Sequence, residues 1–240
     1  MADRGLATRA DLQAAAAGLG FDVVGWVDAE RFDVAPLAPS CGTICVLGSG
    51  GVLLWRKVAA AGSIGAPRPD YHPIEEYSAR AVAELVERLA RQGISARAVS
   101  PSDEPPLDFV TLAARAGLGT VSPVTRLLLH PRLGSWIGLR AALLIDGRPF
   151  GATPSAERSD DPCRGCAKPC VAACPAGVFD GAGGVDLRAC AAYRHSGGCS
   201  DGCAARRACP VGVDARYPAE EEHFRHAYSE FVMRRHFELE

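Results

Sequence analysis

Apolar and polar positions along the chain alternate between two periods, and the switches between them outline the elements. Residues 8–19, "TRADLQAAAAGL", predict a helix, with Thr8 as its N-cap and Gly18 or Gly20 as its end. "FDVVGWVD" then predicts a strand, and the apolar run in "TICVLGSG" a second, fully buried one. "IEEYSARAVAELVERLARQG" is the clearest helix: Ile74, Tyr77, Ala81, Leu85 and Leu89 form its apolar stripe, and Gly93 closes it. Glu84 and Arg88 pair at i,i+4 on its wet face. Farther on, "ISARAVS" predicts a strand, "PLDFVTLAARAG" a helix, and "WIGLRAALLID" a long strand turned at Asp146-Gly147. The glycines of "GSGG" at 48–51 lack dinucleotide-binding spacing and are expected in a loop at a strand end, and 62–73 is expected to be a surface loop.

Helices alternating with strands predict an α/β or α+β domain over residues 1–150. Residues 151–162 have linker composition. A cysteine-rich segment follows over 163–217, and 218–240 predict a final helix that begins at Pro218 and carries Phe224, Tyr228 and Phe231 as a packing stripe.

Composition narrows the function classes. The 240 residues are 48% hydrophobic and 22% charged, with a formal net charge of −2, which offers no bulk attraction to nucleic acid or to a membrane. No run approaches the length of a membrane helix, and the Ala14–Ala17 run is too short for a secretory signal. A cytoplasmic location is expected, where clustered cysteines bind metal more often than they pair as disulfides.

Ten cysteines are present, and eight of them fall after residue 162. Cys41 and Cys45 lie in or beside the second strand, and Cys45 reads as a small core residue. The other eight form two related groups. Cys163, Cys166, Cys170 and Cys174-Pro175 make the first; Cys190, Cys199, Cys203 and Cys209-Pro210 make the second. Each group ends in Cys-Pro, a small residue and Gly, a degenerate duplication of the kind seen in two-cluster ferredoxin domains. In such domains three close cysteines serve one cubane and the Cys-Pro of the other half supplies the fourth ligand. That logic assigns Cys163, Cys166, Cys170 and Cys209 to one 4Fe-4S cluster and Cys174, Cys190, Cys199 and Cys203 to the other. Zinc would favour paired C-x2-C ligands, of which only one is present, and disulfides would need an oxidising compartment. The gaps are wider than in the usual run, with three residues between Cys166 and Cys170 and five between Cys203 and Cys209.

A series of motifs precedes the cysteines in fixed order: "GLGFDVVGWVDAERF", "CVLGSG", "DYH", Asp103 with Pro106, "LAARAGLG", "LLLHPRLGSW", and finally "CAAY" at 190–193. This order resembles the epoxyqueuosine reductases, cobalamin-dependent iron–sulfur enzymes of queuosine biosynthesis, and more distantly the reductive dehalogenases. The resemblance implies an α/β cobalamin-binding domain followed by a ferredoxin-like two-cluster domain. It implies a base-off cobalamin reduced by the clusters, with Asp103 as proton donor and Glu104 as the alternative acid. Tyr71 and His72 would border the corrin or cap a helix. Arg115 would make a salt bridge or meet a corrin amide, and His130 would pack or shape a loop around the cofactor. Gly117, Gly119 and Ser135 belong to the same motifs and would complete the cofactor contacts.

The resemblance departs at "GTVSPVTRL", which lacks the Gly-Lys pair that the family has after its "AGLG". The family also continues into a helical-repeat region that helps hold tRNA, where this sequence has only the final predicted helix. With its acidic balance and no Lys/Arg stripe, tRNA is not the expected substrate; a small molecule or modified nucleoside is, with an external low-potential donor of flavodoxin or ferredoxin type. Two other readings share these residues: a cobalamin reductase or processing protein, and a two-cluster electron carrier that binds no cobalamin.

Overall fold

The computed structural model describes residues 5–62, 64, 72–153 and 161–239. Four strands form its main sheet: β1 (Val23–Asp28), β2 (Cys41–Gly50), β6 (Ile137–Asp146) and β3 (Ala96–Val99), in the order β1-β2-β6-β3. Every neighbouring pair is antiparallel, so the domain is of the α+β kind. Alternation along the two central strands sorts the core onto two faces. Cys45, Leu47, Ala141, Leu143 and Ile145 face α1 (Arg9–Gly18), α2 (Leu53–Ala60) and α3 (Pro73–Ala90). Ile44, Val46, Ala142 and Leu144 face α4 (Phe109–Arg115).

Local chemistry sets the helix ends. Thr8 accepts from the Asp11 amide while the Asp11 carboxylate accepts from the Thr8 amide, a complete capping box. Asp108 caps α4 by accepting from the Thr111 amide at 3.0 Å. Cys45 is fully buried, and burial pushes its thiol pKa well up, as suits a core residue.

Two expectations are corrected. The glycines at 48 and 50 lie inside β2, not in a loop after it, and only Gly51 begins the turn. Small residues are needed there because a Cβ on Gly50 would come within 2.5 Å of the Leu133 side chain. The short helix α2, "LLWRKVAA", follows directly and buries Leu54, Trp55 and Val58. A two-stranded hairpin, β4 (Thr120–Val121) with β5 (Leu128–Leu129), also goes beyond the sequence reading. Most of the surface loop expected at 62–73 and most of 151–162 lie outside the described residues.

The cysteine-rich segment contains α5 (Pro169–Ala172), α6 (Leu187–His195) and α7 (Ala204–Arg207). The last helix, α8 (Ala219–Phe237), lies across both regions. Its Phe224 joins the α/β core against Trp55, with ring centroids 5.4 Å apart. Farther along, α8 receives the Arg194 guanidinium from α6 on the His226 carbonyl and, at 2.6 Å, on the Ser229 hydroxyl. No helix among the described residues is long and apolar enough to cross a membrane.

Candidate functional site

For four of the eight late cysteines the electrostatic neighbours among the thiols fall within the sets that spacing suggested. Burial raises the pKa of the Cys163 and Cys170 thiols, and their thiol neighbours are Cys166 and Cys209 for the first, Cys163 and Cys209 for the second. Burial likewise raises Cys190 and Cys199, whose thiol neighbours come from Cys174, Cys199 and Cys203 in one case and Cys174 and Cys203 in the other. All ten cysteines are free thiols. Among the described residues no three His, Cys, Asp or Glu side chains converge tightly enough for a single metal ion.

The wide gaps have a structural basis. Between Cys166 and Cys170 the extra residue is taken up at Lys168, which adopts a left-handed conformation (φ +55°) and donates its amide to the Cys166 sulfur at 3.3 Å. Pro169 then starts α5, with Cys170 in its first turn. In the second group Cys203 precedes α7, which spans most of the gap to Cys209. Cys199 itself is left-handed (φ +55°). Cys190 sits within α6, whose N-cap Asp186 accepts from the Ala189 amide at 2.8 Å.

Cys174, Cys190, Cys199 and Cys203 open into a cavity of about 550 Å³. Its far wall belongs to the α/β domain: Phe109, Val110, Leu127, Ile137 and Leu139, with Ser135 at the junction. That volume lies within the ~300–1,000 Å³ usual for cofactor and small-molecule sites. Arg206, from α7, closes the junction by lying over the Trp136 ring (4.4 Å) and donating to the Ser135 hydroxyl (3.3 Å) and carbonyl. Arg194 lines the same cavity, one helical turn beyond Cys190.

A second cavity of about 480 Å³ lies between α3, β3 and β6, and shares Pro101 and Leu139 with the first. Asp103 lines it from an exposed loop. Its carboxylate is turned back on that loop, accepting from the Ser100 amide and hydroxyl, both at 2.9 Å. Glu104 is exposed and lines neither cavity.

The other residues named from sequence are placed as follows. Ser135 is 6% exposed and lines the first cavity. His72 caps α3, its Nδ1 accepting from the Glu75 amide at 3.2 Å, and meets Tyr228 edge-on with centroids 3.9 Å apart. Burial, with Arg140 and Arg225 nearby, lowers its pKa to about 4. Arg115 turns toward the Arg31 carbonyl and the Phe32 ring. His130 Nδ1 accepts from the Arg132 and Leu133 amides, both at 3.2 Å, and so shapes the loop before Ser135. Gly117 (φ +78°) and Gly119 (φ +148°) turn the chain between α4 and β4. None of these last five lines either cavity. Tyr71 lies outside the described residues. Arg140 and Ser78 also face the second cavity, and neither is marked in the sequence because each sits in an apolar pattern that conceals it.

Comparison with known proteins follows the same lines. No family model matches the chain. An epoxyqueuosine reductase from Listeria monocytogenes is 35% identical over 125 residues, which are 52% of this chain and 30% of that protein. The match therefore spans under a third of that relative's length. The structure of an epoxyqueuosine reductase with an epoxyqueuosine-modified tRNA-Tyr stem loop superposes with a TM-score of 0.58 at 17% identity, over 90% of this chain and 68% of that one. A reductive dehalogenase described as B12-dependent gives a TM-score of 0.58 at 19% identity, over 98% of this chain and 37% of that one. The chain is thus similar in sequence to an epoxyqueuosine reductase and shares its mixed α/β fold with both kinds of protein.

Proposed function

We propose that this chain is a cobalamin-dependent iron–sulfur reductase, with an α/β domain over residues 1–150 and a two-cluster domain over 163–217. The observation that supports this reading is that Cys174, Cys190, Cys199 and Cys203 line one cavity whose far wall comes from the α/β domain. Cys163, Cys166, Cys170 and Cys209 would hold one 4Fe-4S cluster, and Cys174, Cys190, Cys199 and Cys203 the other. The residues fit such groups. A cubane fills the space between its ligands, so its thiolates stand farther apart than around one zinc ion, where Zn–S is about 2.3 Å. The Lys168 amide aimed at the Cys166 sulfur is the kind of donor that stabilises a ligating thiolate. Cobalamin would be received in the first cavity, where Ser135 and the walls of Phe109, Leu127 and Leu139 could meet it.

When bound, the clusters supply single electrons at low potential and the cobalamin a strongly reducing centre for the substrate. The protein's own residues do the rest. The apolar part of the wall would exclude water from a seated cofactor and so limit loss of electrons to side reactions. Arg194 places a positive charge beside Cys190, Cys199 and Cys203, which would favour the reduced, more negative state of a cluster held there. Asp103 is the proposed acid: its carboxyl would leave the Ser100 donors, take up a proton and pass it to the substrate atom being released.

The substrate is a small molecule or a modified nucleoside. The net charge of −2 weighs against a large nucleic-acid partner, while the solved relative with its tRNA stem loop keeps a tRNA nucleoside within the proposal. Electrons come from an external low-potential donor. Asp103→Asn in the reconstituted, cobalamin-loaded protein should lower turnover by about 10²-fold or more with iron content and the cobalamin spectrum unchanged. Turnover equal to wild type would remove Asp103 from the role of acid.

A further inference from the structure

The second cavity contains two polar groups that the fold leaves without partners. Ser78, on the inner face of α3, is 4% exposed, and its hydroxyl is buried with no hydrogen bond. Arg140, on β6, has its Nε buried without a hydrogen-bond partner. Buried donors left unpaired are destabilising and rare in native folds, so two in one cavity call for an explanation.

The backbone aims Arg140 deliberately. Leu139 pairs with Gly48 and Ala141 with Leu47, so Arg140 is the extra residue of a bulge and faces nothing on β2. Bulges re-aim side chains in this way beside functional sites. Gly138 is part of the device, since a Cβ there would land on the Arg140 Nη2. The nearby carboxylates leave the guanidinium unneutralised by contact. Glu221 is engaged by Arg225 at 2.6 and 2.8 Å, and Glu75 acts on Arg140 only through its field. Burial, with Arg225 close by, lowers the Arg140 pKa to about 10, so it stays cationic at neutral pH.

We infer that Arg140 and Ser78 form a receptor for the carboxylate of a small, otherwise apolar ligand, seated beside the Asp103 loop. A guanidinium and a hydroxyl facing one space match the acceptors of a planar oxyanion. Glu75, Glu76 and Asp103, on the same walls, are exposed, so water screens their repulsion while the buried Arg140 Nε faces the ligand; a singly charged carboxylate meets less of that repulsion than a phosphate dianion. The rest of the wall is Val82, Ala83, Ala98, Val99 and Leu139, which suits an apolar body. The inference rests on the proposed function only in calling that ligand the substrate; the receptor itself needs no cobalamin.

Isothermal titration of the anaerobically reconstituted chain, without cobalamin, tests it with benzoate, benzamide and inorganic phosphate as probes. Benzoate should bind more tightly than either of the others. Arg140→Gln should weaken benzoate about tenfold or more, bringing it level with benzamide, and Ser78→Ala by about two- to tenfold. Gly138→Ala, which moves the guanidinium without touching the ligand, should weaken benzoate at an unchanged melting temperature. Phosphate binding above benzoate, benzoate no tighter than benzamide, or wild-type affinity in both Arg140→Gln and Ser78→Ala overturns the inference. A separate cobalamin titration of the same samples reports on the proposed function, so failure of one is distinct from failure of the other.

Discussion

Cys170 and Cys174 lie four residues apart in the chain, yet the first feels the thiols of Cys163 and Cys209 while the second acts on Cys190 and Cys199. This crossing gives the account its sharpest test at the scale of single residues. Cys166→Ala and Cys209→Ala, 43 positions apart, should lose the same cluster, with iron falling from about eight to about four per chain. Cys174→Ala should spare that cluster and lose the other. Iron analysis with electron paramagnetic resonance of the reduced protein distinguishes the two remaining signals. Loss of both signals in every variant would mean that the quartets are not independent sites. The cysteines were legible in the sequence because ligand chemistry fixes their spacing and the Cys-Pro endings repeat. Arg140 and Ser78 were not. A bulge leaves no mark in a run such as "WIGLRAALLID", and a serine on the apolar face of a helix reads as an ordinary small residue.

Elements with a strong period were legible to within a few residues. The expected helix after residue 73 is α3, and the expected strand before Asp146-Gly147 is β6. Short pieces were not: α2 has only eight residues, and β4 and β5 two each, too few for a period to show. Gly48 and Gly50 of β2 read as a loop in sequence because their role is tertiary: Gly50 lets Leu133 approach and Gly48 lies against the Gly138 carbonyl. The start of α3 carries a pH dependence. His72 caps that helix through a neutral imidazole nitrogen, and its folded pKa of about 4 lies below the 6.5 of the free side chain. Between these values the unfolded chain binds more protons than the folded one, so stability falls as pH drops from 6.5 toward 4. The charged groups facing the ring, Arg140 and Arg225, oppose protonation and act in the same direction. Replacing His72 by Asn keeps a cap acceptor and removes the titration. The variant should retain on the order of 2 kcal/mol more stability than wild type on going from pH 7 to pH 4.5, measured by urea unfolding. Parallel loss in both proteins would place the acid sensitivity elsewhere.

In the whole molecule, α8 ties the cysteine-rich segment to the α/β core. Phe224 is 4% exposed against Trp55, Tyr228 rests on His72, and Arg194 reaches across from α6. The first cavity lies within this clasp and takes Arg225, His226 and Ser229 of α8 into its wall. Phe224→Ala should therefore cost about 3–5 kcal/mol in urea unfolding and weaken whatever binds in the cavity. A small stability loss with unchanged binding would show that the clasp is incidental. The final helix is legible from its aromatic stripe, but its attachment to the first core is not, because the partner Trp55 lies in α2, too short for its period to show.

The proposal as a whole depends on cobalamin entering that cavity beside Cys174, Cys190, Cys199 and Cys203. Its most direct measurement is a titration of the anaerobically reconstituted protein with cob(II)alamin, followed by visible and electron paramagnetic resonance spectra. The account predicts saturation at one equivalent per chain, with spectra of the base-off form. Spectra identical to free cobalamin at every ratio, in a protein that carries both clusters, would contradict it.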